Sequence, residues 1–199
     1  EIIMKIIPNI KNVIFDLGGV LIDWNPDKVY KEVFKNDTER MNHFYNEICT
    51  QDWNENQDAG YPMAKATEER IALFPEFEEE IKMFYGRWDD MLGDQIQGTV
   101  DILKKLTDNP SIKVVALTNW SHETFPRAIA KFEFLQWFEG IIVSGQEKTR
   151  KPFPEIYQLT LSRFNLKAEE SLFIDDNLRN IEAARELGIQ SIHFENPDQ

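Results

Sequence analysis

Four short segments of the sequence carry side chains that could act together on an anionic, oxygen-rich substrate. Their reactive residues are Asp16, Thr118, Lys151 and the adjacent pair Asp175 and Asp176. Three carboxylates brought close together repel one another, and such a group persists only if protons or a cation compensate. Mg²⁺ is the simplest such cation because it prefers hard oxygen ligands. A lysine ammonium and a threonine hydroxyl would then offer a substrate anion one point charge and one hydrogen-bond donor.

The elements around these residues follow the pattern of an α/β protein with a parallel sheet, in which short apolar runs alternate with helical periodicity. The predicted strands are residues 13–16, 114–118, 141–144, 172–175 and 191–194. The predicted helices are residues 96–106, 124–132, 154–164 and 178–187. Ligands of such sheets bind beyond the carboxyl ends of the strands. Asp16, Thr118 and Asp175 each end a predicted strand, so we expect them at one edge of the sheet.

Residues 24–94 interrupt this alternation and are predicted to form a helical lobe without strands. Apolar residues recur there at helical spacing, and Pro62 and Pro75 divide the stretch into several helices. Most of the chain's excess negative charge also lies in this lobe. The charge indicates either a solvated outer face or an acidic docking surface.

The overall charge limits the classes of partner. Lys and Arg number 22 against 35 Asp and Glu, which gives a net charge of −13 and an isoelectric point of about 4.7. This balance argues against binding to nucleic acid or to an anionic membrane. The apolar run at residues 2–7 is too short for a signal peptide, so a soluble cytoplasmic protein is expected. Cys49 is the single cysteine and is predicted to be a buried structural thiol.

Each reactive segment also has an ordinary structural explanation. An aspartate at a strand end often caps a turn, Thr118-Asn119 could begin a loop, and Asp175-Asp176 could cap the helix that follows. The functional interpretation therefore depends on the segments converging at one edge of the sheet.

The four segments taken in order resemble the motifs of the haloacid dehalogenase (HAD) superfamily. The matching stretches are Asp16-Leu17-Gly18-Gly19-Val20, Leu117-Thr118-Asn119, Lys151-Pro152-Phe153-Pro154-Glu155-Ile156-Tyr157 and Phe173-Ile174-Asp175-Asp176-Asn177. The resemblance implies a Rossmann-like core of residues 1–23 and 95–199 with a helical-bundle cap inserted at 24–94. Trp53 with Asp58-Ala59-Gly60 is similar to part of the cap in the subgroup that contains sugar-phosphate phosphatases, although Asp-Ala-Gly could equally be a turn.

The resemblance also implies a role for each matching residue. Asp16 would be the nucleophile that attacks phosphorus to form an aspartyl-phosphate. Thr118, Asn119 and Lys151 would bind the phosphoryl oxygens. Mg²⁺ would be held by the metal-site residues Asp16, Gly18 (through its carbonyl oxygen) and Asp176, with Asp175 as a further ligand or a supporting partner. Asn180 would steady this group.

Gly18 departs from the pattern of many phosphatases in the superfamily, which have an aspartate there that acts as general acid and base. Such help is typically worth ~10²–10⁴ in rate. The main interpretation is still a phosphatase acting on a small phosphate ester, such as a sugar phosphate. Its leaving group would need little protonation, or its acid would come from Asp23 or a carboxylate of the helical lobe.

Two other functions stay open. One is metal-free dehalogenation of a 2-haloacid, against which the pair Asp175-Asp176 argues, because two carboxylates beside a carboxylate substrate need a cation. The other is a weakly active binding or regulatory module that uses its acidic lobe. Trp24 and Trp120 could shape a substrate pocket or pack in the core.

Overall fold

The structure is a computed structural model and describes residues 9–199. The apolar run at residues 2–7 lies outside this range. In the part of the chain that is described, no helix has the length and apolar character needed to cross a membrane.

The reactive residues are positioned by a five-stranded sheet. Over residues 9–199 the strands are β1 (Asn12–Phe15), β2 (Ile22–Trp24), β3 (Leu92–Gln95), β4 (Lys113–Thr118), β5 (Ile141–Val143), β6 (Ser171–Asp175) and β7 (Gln190–His193). The large sheet has the order β5-β4-β1-β6-β7, and every neighbouring pair in it is parallel. All five predicted strands are confirmed, and with them the α/β fold class.

Helices connect the strands and build the lobe. They are α1 (Asp27–Val33), α2 (Thr38–His43), α3 (Gln51–Asp58), α4 (Met63–Leu73), α5 (Glu78–Gly86), α6 (Trp88–Met91), α7 (Gln97–Thr107), α8 (Phe125–Lys131), α9 (Ser144–Glu147), α10 (Pro154–Arg163) and α11 (Leu178–Glu186). The four predicted helices correspond to α7, α8, α10 and α11. Gly188 has a φ of +79°, as expected of a glycine just after a helix end.

The central strands are apolar on both faces because helices cover both faces of the sheet. Ile14 and Val115 pack with residues of α10 and α11 in one hydrophobic cluster. Val13 and Phe15, which point to the opposite face, pack with residues of α7 and α8 in another. Side chains of β1 therefore alternate between two faces of the sheet, and each face is covered by helices. The end of the strand lies between these two helical layers.

The helical lobe has a hydrophobic cluster of its own, built largely from aromatic side chains. The ring centroids of Tyr30 and Phe44 are 4.7 Å apart. Cys49 is buried in this cluster, as predicted, and burial raises the pKa of its thiol, which therefore stays protonated. The division into a core of residues 1–23 and 95–199 and a cap of 24–94 stays a prediction.

The expectation of no strand between residues 24 and 94 is wrong at both margins. β2 and β3 form a small antiparallel sheet in which Ile22 pairs with Gln95 and Trp24 with Leu92. The two strands are only three and four residues long. Because their partners are far apart in the sequence, no local turn signal marks the pairing.

Candidate active site

Strand register brings the first reactive residues together. β1 lies between β4 and β6, and Phe15 pairs with Ala116 on one side and Ile174 on the other. Asp16, directly after β1, is therefore level with Asp175 at the end of β6. The main-chain N–H of Asp16 donates to the carbonyl oxygen of Ile174 at 2.9 Å, which fixes this alignment.

Lys151 lies between the two aspartates. Its Nζ donates to Asp16 Oδ1 at 2.8 Å, to Asp175 Oδ2 at 2.8 Å and to the carbonyl oxygen of Leu117 at 2.9 Å. These three acceptors use all three donors of an ammonium group. Lys151 is 1% exposed, so the charge is removed from water and depends on these partners.

The ionisation of these groups follows from their burial and mutual charge. Burial and the nearby Asp175 raise the pKa of Asp16, while Lys151 acts in the opposite direction. Burial by itself would lower the pKa of Lys151, but the carboxylates of Asp16 and Asp175 outweigh it and raise that pKa. Burial and Asp175 also raise the pKa of Asp176. One lysine therefore compensates only part of the negative charge at this edge.

Asn119 fixes the main chain of Lys151. Its Oδ1 accepts from the Lys151 N–H at 2.9 Å, and its Nδ2 donates to the Lys151 carbonyl oxygen at 3.0 Å. Asn119 was expected as a substrate donor, and sequence reasoning missed this positioning contact. The pair is separated by 32 residues, so no local pattern could reveal it.

Asp175 is held by the start of α11. Its Oδ1 accepts from the main-chain N–H of Asn177 at 2.7 Å, and its Oδ2 accepts from Asn180 Nδ2 at 3.1 Å. Tyr157 in turn donates its hydroxyl to the carbonyl oxygen of Asn180 at 2.8 Å. The Asp175 carboxylate is therefore largely committed to protein donors, whereas Asp176 is exposed.

The carboxylates fit a hard divalent cation. One oxygen each from Asp16, Asp175 and Asp176 lies within 4.8 Å of the others. Asp176 packs against Gly19, where a Cβ would lie 2.2 Å from its Oδ2. Gly19 also has a φ of +82°, a backbone conformation that residues with a side chain rarely adopt. The absence of a side chain at position 19 therefore lets Asp176 reach the cluster.

The carboxylates open onto a cleft of about 580 Å³ between the sheet edge and the helical lobe. Asp16, Asn119, Lys151 and Asp176 line it from the sheet side. Thr118, the last residue of β4, is 1% exposed and is not among the lining residues. The binding role of its hydroxyl stays a prediction.

The four segments fall within a single family match. The family model described as haloacid dehalogenase-like hydrolase matches residues 13–194. The chain belongs to this family. The predicted resemblance to the HAD superfamily is confirmed.

Similar proteins in this family include phosphatases. A "Phosphorylated carbohydrates phosphatase" of Thermotoga maritima is 25% identical to the HAD-like chain over 186 residues, which are 91% of this chain and 83% of that protein. A "D-ribitol-5-phosphate phosphatase" of Bacteroides thetaiotaomicron is 24% identical over 196 residues, which are 94% of this chain and 93% of that protein. A solved structure of a HAD family enzyme from Bacteroides thetaiotaomicron, in complex with magnesium and inorganic phosphate, has a TM-score of 0.68 and 26% identity, covering 94% of this chain and 95% of that one.

Gly18 leaves a space in this HAD-like hydrolase at the position where the sequence resemblance implies a second aspartate in many phosphatases. Among the residues that the structure describes, and leaving out the two chain neighbours, a Cβ at Gly18 would meet no atom within 4 Å, and the residue lines the cleft. Asp23, one expected substitute for the missing acid, is paired with Lys28 at 2.8 Å and is not among the lining residues.

Glu55 of α3 connects the lobe of the HAD-like chain to its core. It is 5% exposed, and its carboxylate lies 3.1 Å from an Arg150 nitrogen and 2.6 Å from an Arg179 nitrogen. The helix begins with a cap in which Thr50 Oγ1 accepts from the Trp53 N–H at 3.1 Å. Sequence reasoning missed Glu55, because a glutamate in an acidic lobe has the pattern of a solvated charge.

Asp58 ends α3 and lines the same cleft as Asp16. Burial, and then the charge of Glu55, raise its pKa to about 8, while Arg150 and the main-chain N–H of Ser121 act in the opposite direction. In the sequence Asp58 is only part of a cap-like Asp-Ala-Gly stretch, whereas the structure places it in the wall of the cleft.

Proposed function

We propose that the protein is a Mg²⁺-dependent phosphatase that hydrolyses a small phosphate ester through an aspartyl-phosphate on Asp16. The observation that carries this proposal is the buried Lys151 ammonium, 2.8 Å from both Asp16 and Asp175, with Asp176 completing the carboxylate group. Two relatives named as phosphatases, and a similar enzyme in complex with magnesium and inorganic phosphate, support it.

Asp16 is the group that would attack phosphorus. Its Oδ1 accepts from Lys151 Nζ and from the Leu17 N–H, the latter at 2.8 Å, so the carboxylate is held at a fixed orientation. Lys151 favours the anionic form of Asp16, which a nucleophile requires, and so opposes burial and Asp175, which raise the pKa of this carboxyl group. Positioning and charge neutralisation are most of what phosphoryl transfer needs from a protein.

Asp16, Asp176 and the carbonyl oxygen of Gly18 would hold Mg²⁺, which when bound neutralises phosphoryl charge. Asp175 would act as a support, because its oxygens accept from Lys151, Asn177 and Asn180. Lys151 and Asn119 line the cleft and would contact the phosphoryl oxygens, Lys151 by exchanging one of its three protein acceptors for a phosphoryl oxygen. Thr118 is proposed as a further phosphoryl donor from the sequence resemblance.

The cleft favours a small substrate. Helix α3 covers it on the lobe side, and Glu55 joins that helix to Arg150 and Arg179 of the core. A folded protein substrate would have to displace this contact, whereas a sugar phosphate or a similar ester fits about 580 Å³. A cytoplasmic location and the lack of nucleic-acid binding remain proposals from composition.

Release of phosphate from a panel of aryl, acyl and sugar phosphates tests the proposal, measured with Mg²⁺ and with chelator. We expect release that requires the metal and is lost in Asp16→Asn, which keeps the size and the fold but removes the nucleophile. Chloride release from 2-chloropropionate without metal would instead show a dehalogenase. Metal-independent phosphate release, or undiminished release by Asp16→Asn, would contradict the mechanism.

A further inference from the structure

The cleft contains an unoccupied position beside Gly18. Apart from Gly18 and its two chain neighbours, no residue of the described range 9–199 has an atom within 4 Å of where a Cβ would be, so the space that an aspartate would fill is open toward the cleft. A leaving-group oxygen on this side of the nucleophile would find no acid on Gly18 itself. The proton must come from another residue that faces the same space.

Asp58 faces that space from the helical lobe. It lines the cleft together with Gly18 and Asn119, and the same three residues line the smaller pocket that adjoins it. Its carbonyl oxygen accepts from Ser144 Oγ at 2.5 Å, so the end of α3 is tied to the core. The main chain at Asp58 therefore has a fixed position relative to the sheet edge.

The surroundings of Asp58 keep its carboxyl group protonated near neutral pH. The charged and titratable groups that act with it are Glu55 on its own helix, Arg150 from the core and Tyr85 on α5. The Glu55 carboxylate disfavours a negative charge on Asp58. Glu55 itself forms ion pairs with Arg150 and Arg179. Burial and Glu55 raise the pKa of Asp58 to about 8, so the acid form predominates below that pH.

The pocket beside Asp58, of about 80 Å³, extends the cleft on the side where the leaving group would lie. Trp24, Trp88, Trp120 and Met63 supply apolar walls. The Nε1 of Trp24 is buried and, within residues 9–199, has no hydrogen-bond partner. A buried donor without an acceptor is costly, and a substrate oxygen would satisfy it. The leaving group therefore has its place on the Asp58 side of the cleft.

We propose that Asp58 is the general acid and base of the reaction, in place of a residue at position 18. This inference rests on the proposed phosphatase function. An oxygen of Asp16 bonds to phosphorus while the bond from phosphorus to the leaving oxygen breaks. That oxygen keeps the electron pair, takes the proton of Asp58 and departs as a neutral alcohol. The Asp58 carboxylate then takes a proton from the water that attacks the aspartyl-phosphate, which releases inorganic phosphate and restores Asp16.

This assignment identifies a substrate class. A protonated carboxyl group is needed most by leaving groups with basic oxygens, such as the alkoxides of sugar and polyol phosphates. Acyl phosphates and aryl phosphates depart without such help. The substrates favoured by the site are therefore alkyl phosphate monoesters.

The test compares Asp58→Asn with the wild-type protein on p-nitrophenyl phosphate and on a sugar phosphate. We expect kcat/KM, which reports formation of the aspartyl-phosphate, to fall by ~10²–10⁴-fold on the sugar phosphate and to change by only a few-fold on p-nitrophenyl phosphate. The later hydrolysis of the aspartyl-phosphate is common to both substrates, so its slowing lowers kcat on both. The decline of wild-type sugar-phosphate turnover above a pH of about 8 should also be absent from any residual activity of the variant. Asp52→Asn, an exposed carboxyl on the same helix, is the matched control and should leave both rates unchanged.

Gly18→Asp in the Asp58→Asn background separates catalysis from structure. The new carboxyl group has open space at that position, and we expect it to restore much of the sugar-phosphate rate. An equal loss of kcat/KM on both substrates by Asp58→Asn, or no loss of kcat/KM on either, would overturn the assignment while leaving the phosphatase function intact. A wild-type protein that releases no phosphate from either substrate would overturn both.

Discussion

Replacing Lys151 by methionine tests whether one buried amine holds the carboxylates at the sheet edge. Its Nζ lies 2.8 Å from both Asp16 and Asp175. At an effective dielectric constant of ~20, a unit charge pair at this distance attracts by about 6 kcal/mol, much of which the lost hydration of the ions offsets. Methionine retains an apolar stem but removes the charge and leaves two carboxylates uncompensated. We expect Lys151→Met to lower the free energy of unfolding by ~3–5 kcal/mol near neutral pH.

This loss should depend on pH, because protons can replace the missing cation. Burial and Asp175 already raise the pKa of Asp16 in the wild type, and removing Lys151 removes the charge that acts in the opposite direction. A carboxyl group whose pKa is higher in the folded protein than in the unfolded chain stabilises the fold most below its pKa in the unfolded chain, ~4. This contribution to the free energy of unfolding is lost as the pH rises through the pKa in the folded protein. The deficit of Lys151→Met should therefore be largest at neutral pH and shrink steadily toward a pH of ~4.

Urea unfolding followed by tryptophan fluorescence, over a series of pH values and with chelator present, measures the deficit. The chelator prevents a bound cation from replacing the lysine charge. Lys105→Met, at an exposed position of α7, is the control and should change the free energy of unfolding by less than ~0.5 kcal/mol. A Lys151→Met deficit below ~1 kcal/mol, or one that is the same at all pH values, would refute the reasoning.

Three further substitutions probe the supports of the site. Gly19→Ala should raise the Mg²⁺ concentration needed for half-maximal activity, because its Cβ would lie 2.2 Å from Asp176 Oδ2; an unchanged metal titration would contradict this. Asn119→Ala removes two hydrogen bonds to the main chain of Lys151 and should cost ~1–3 kcal/mol in urea unfolding and also lower kcat. Glu55→Gln should destabilise the fold by ~1–3 kcal/mol, because two arginines lose a buried carboxylate; a neutral effect would show that the contact is not retained in solution.

The strand ends were predictable from the sequence because two local patterns coincide there. An apolar run of strand length marks each of β1, β4 and β6, and a reactive residue follows or ends each run. Because parallel strands have their carboxyl ends at one edge of the sheet, these residues are predicted to lie close together. Asp16, Asp175 and Asp176 therefore meet as expected, and the fold class follows from the same alternation.

The contacts between the lobe and the core were not predictable in this way. Glu55 meets Arg179 across 124 residues of sequence, and Ser144 meets Asp58 across 86. Such pairs depend on how the lobe packs on the sheet edge, which is set by tertiary burial and not by any period or spacing in the chain. For the same reason Asp58 is an ordinary helix-end residue in the sequence, and only the structure shows that it lines the cleft and that burial raises its pKa.

Because β2 and β3 pair with each other, the two connections between the lobe and the core lie side by side. Ile22 pairs with Gln95 and Trp24 with Leu92, so the chain leaves the core and returns to it through adjacent strands. A different insert could be joined to this pair of strands without changing the spacing of the core ends. On the proposed function, the residues that bind phosphate and the residues that contact the alcohol can therefore vary separately. A lobe exchanged at β2 and β3 would bring its own acid, while Asp16 and Lys151 stay in place.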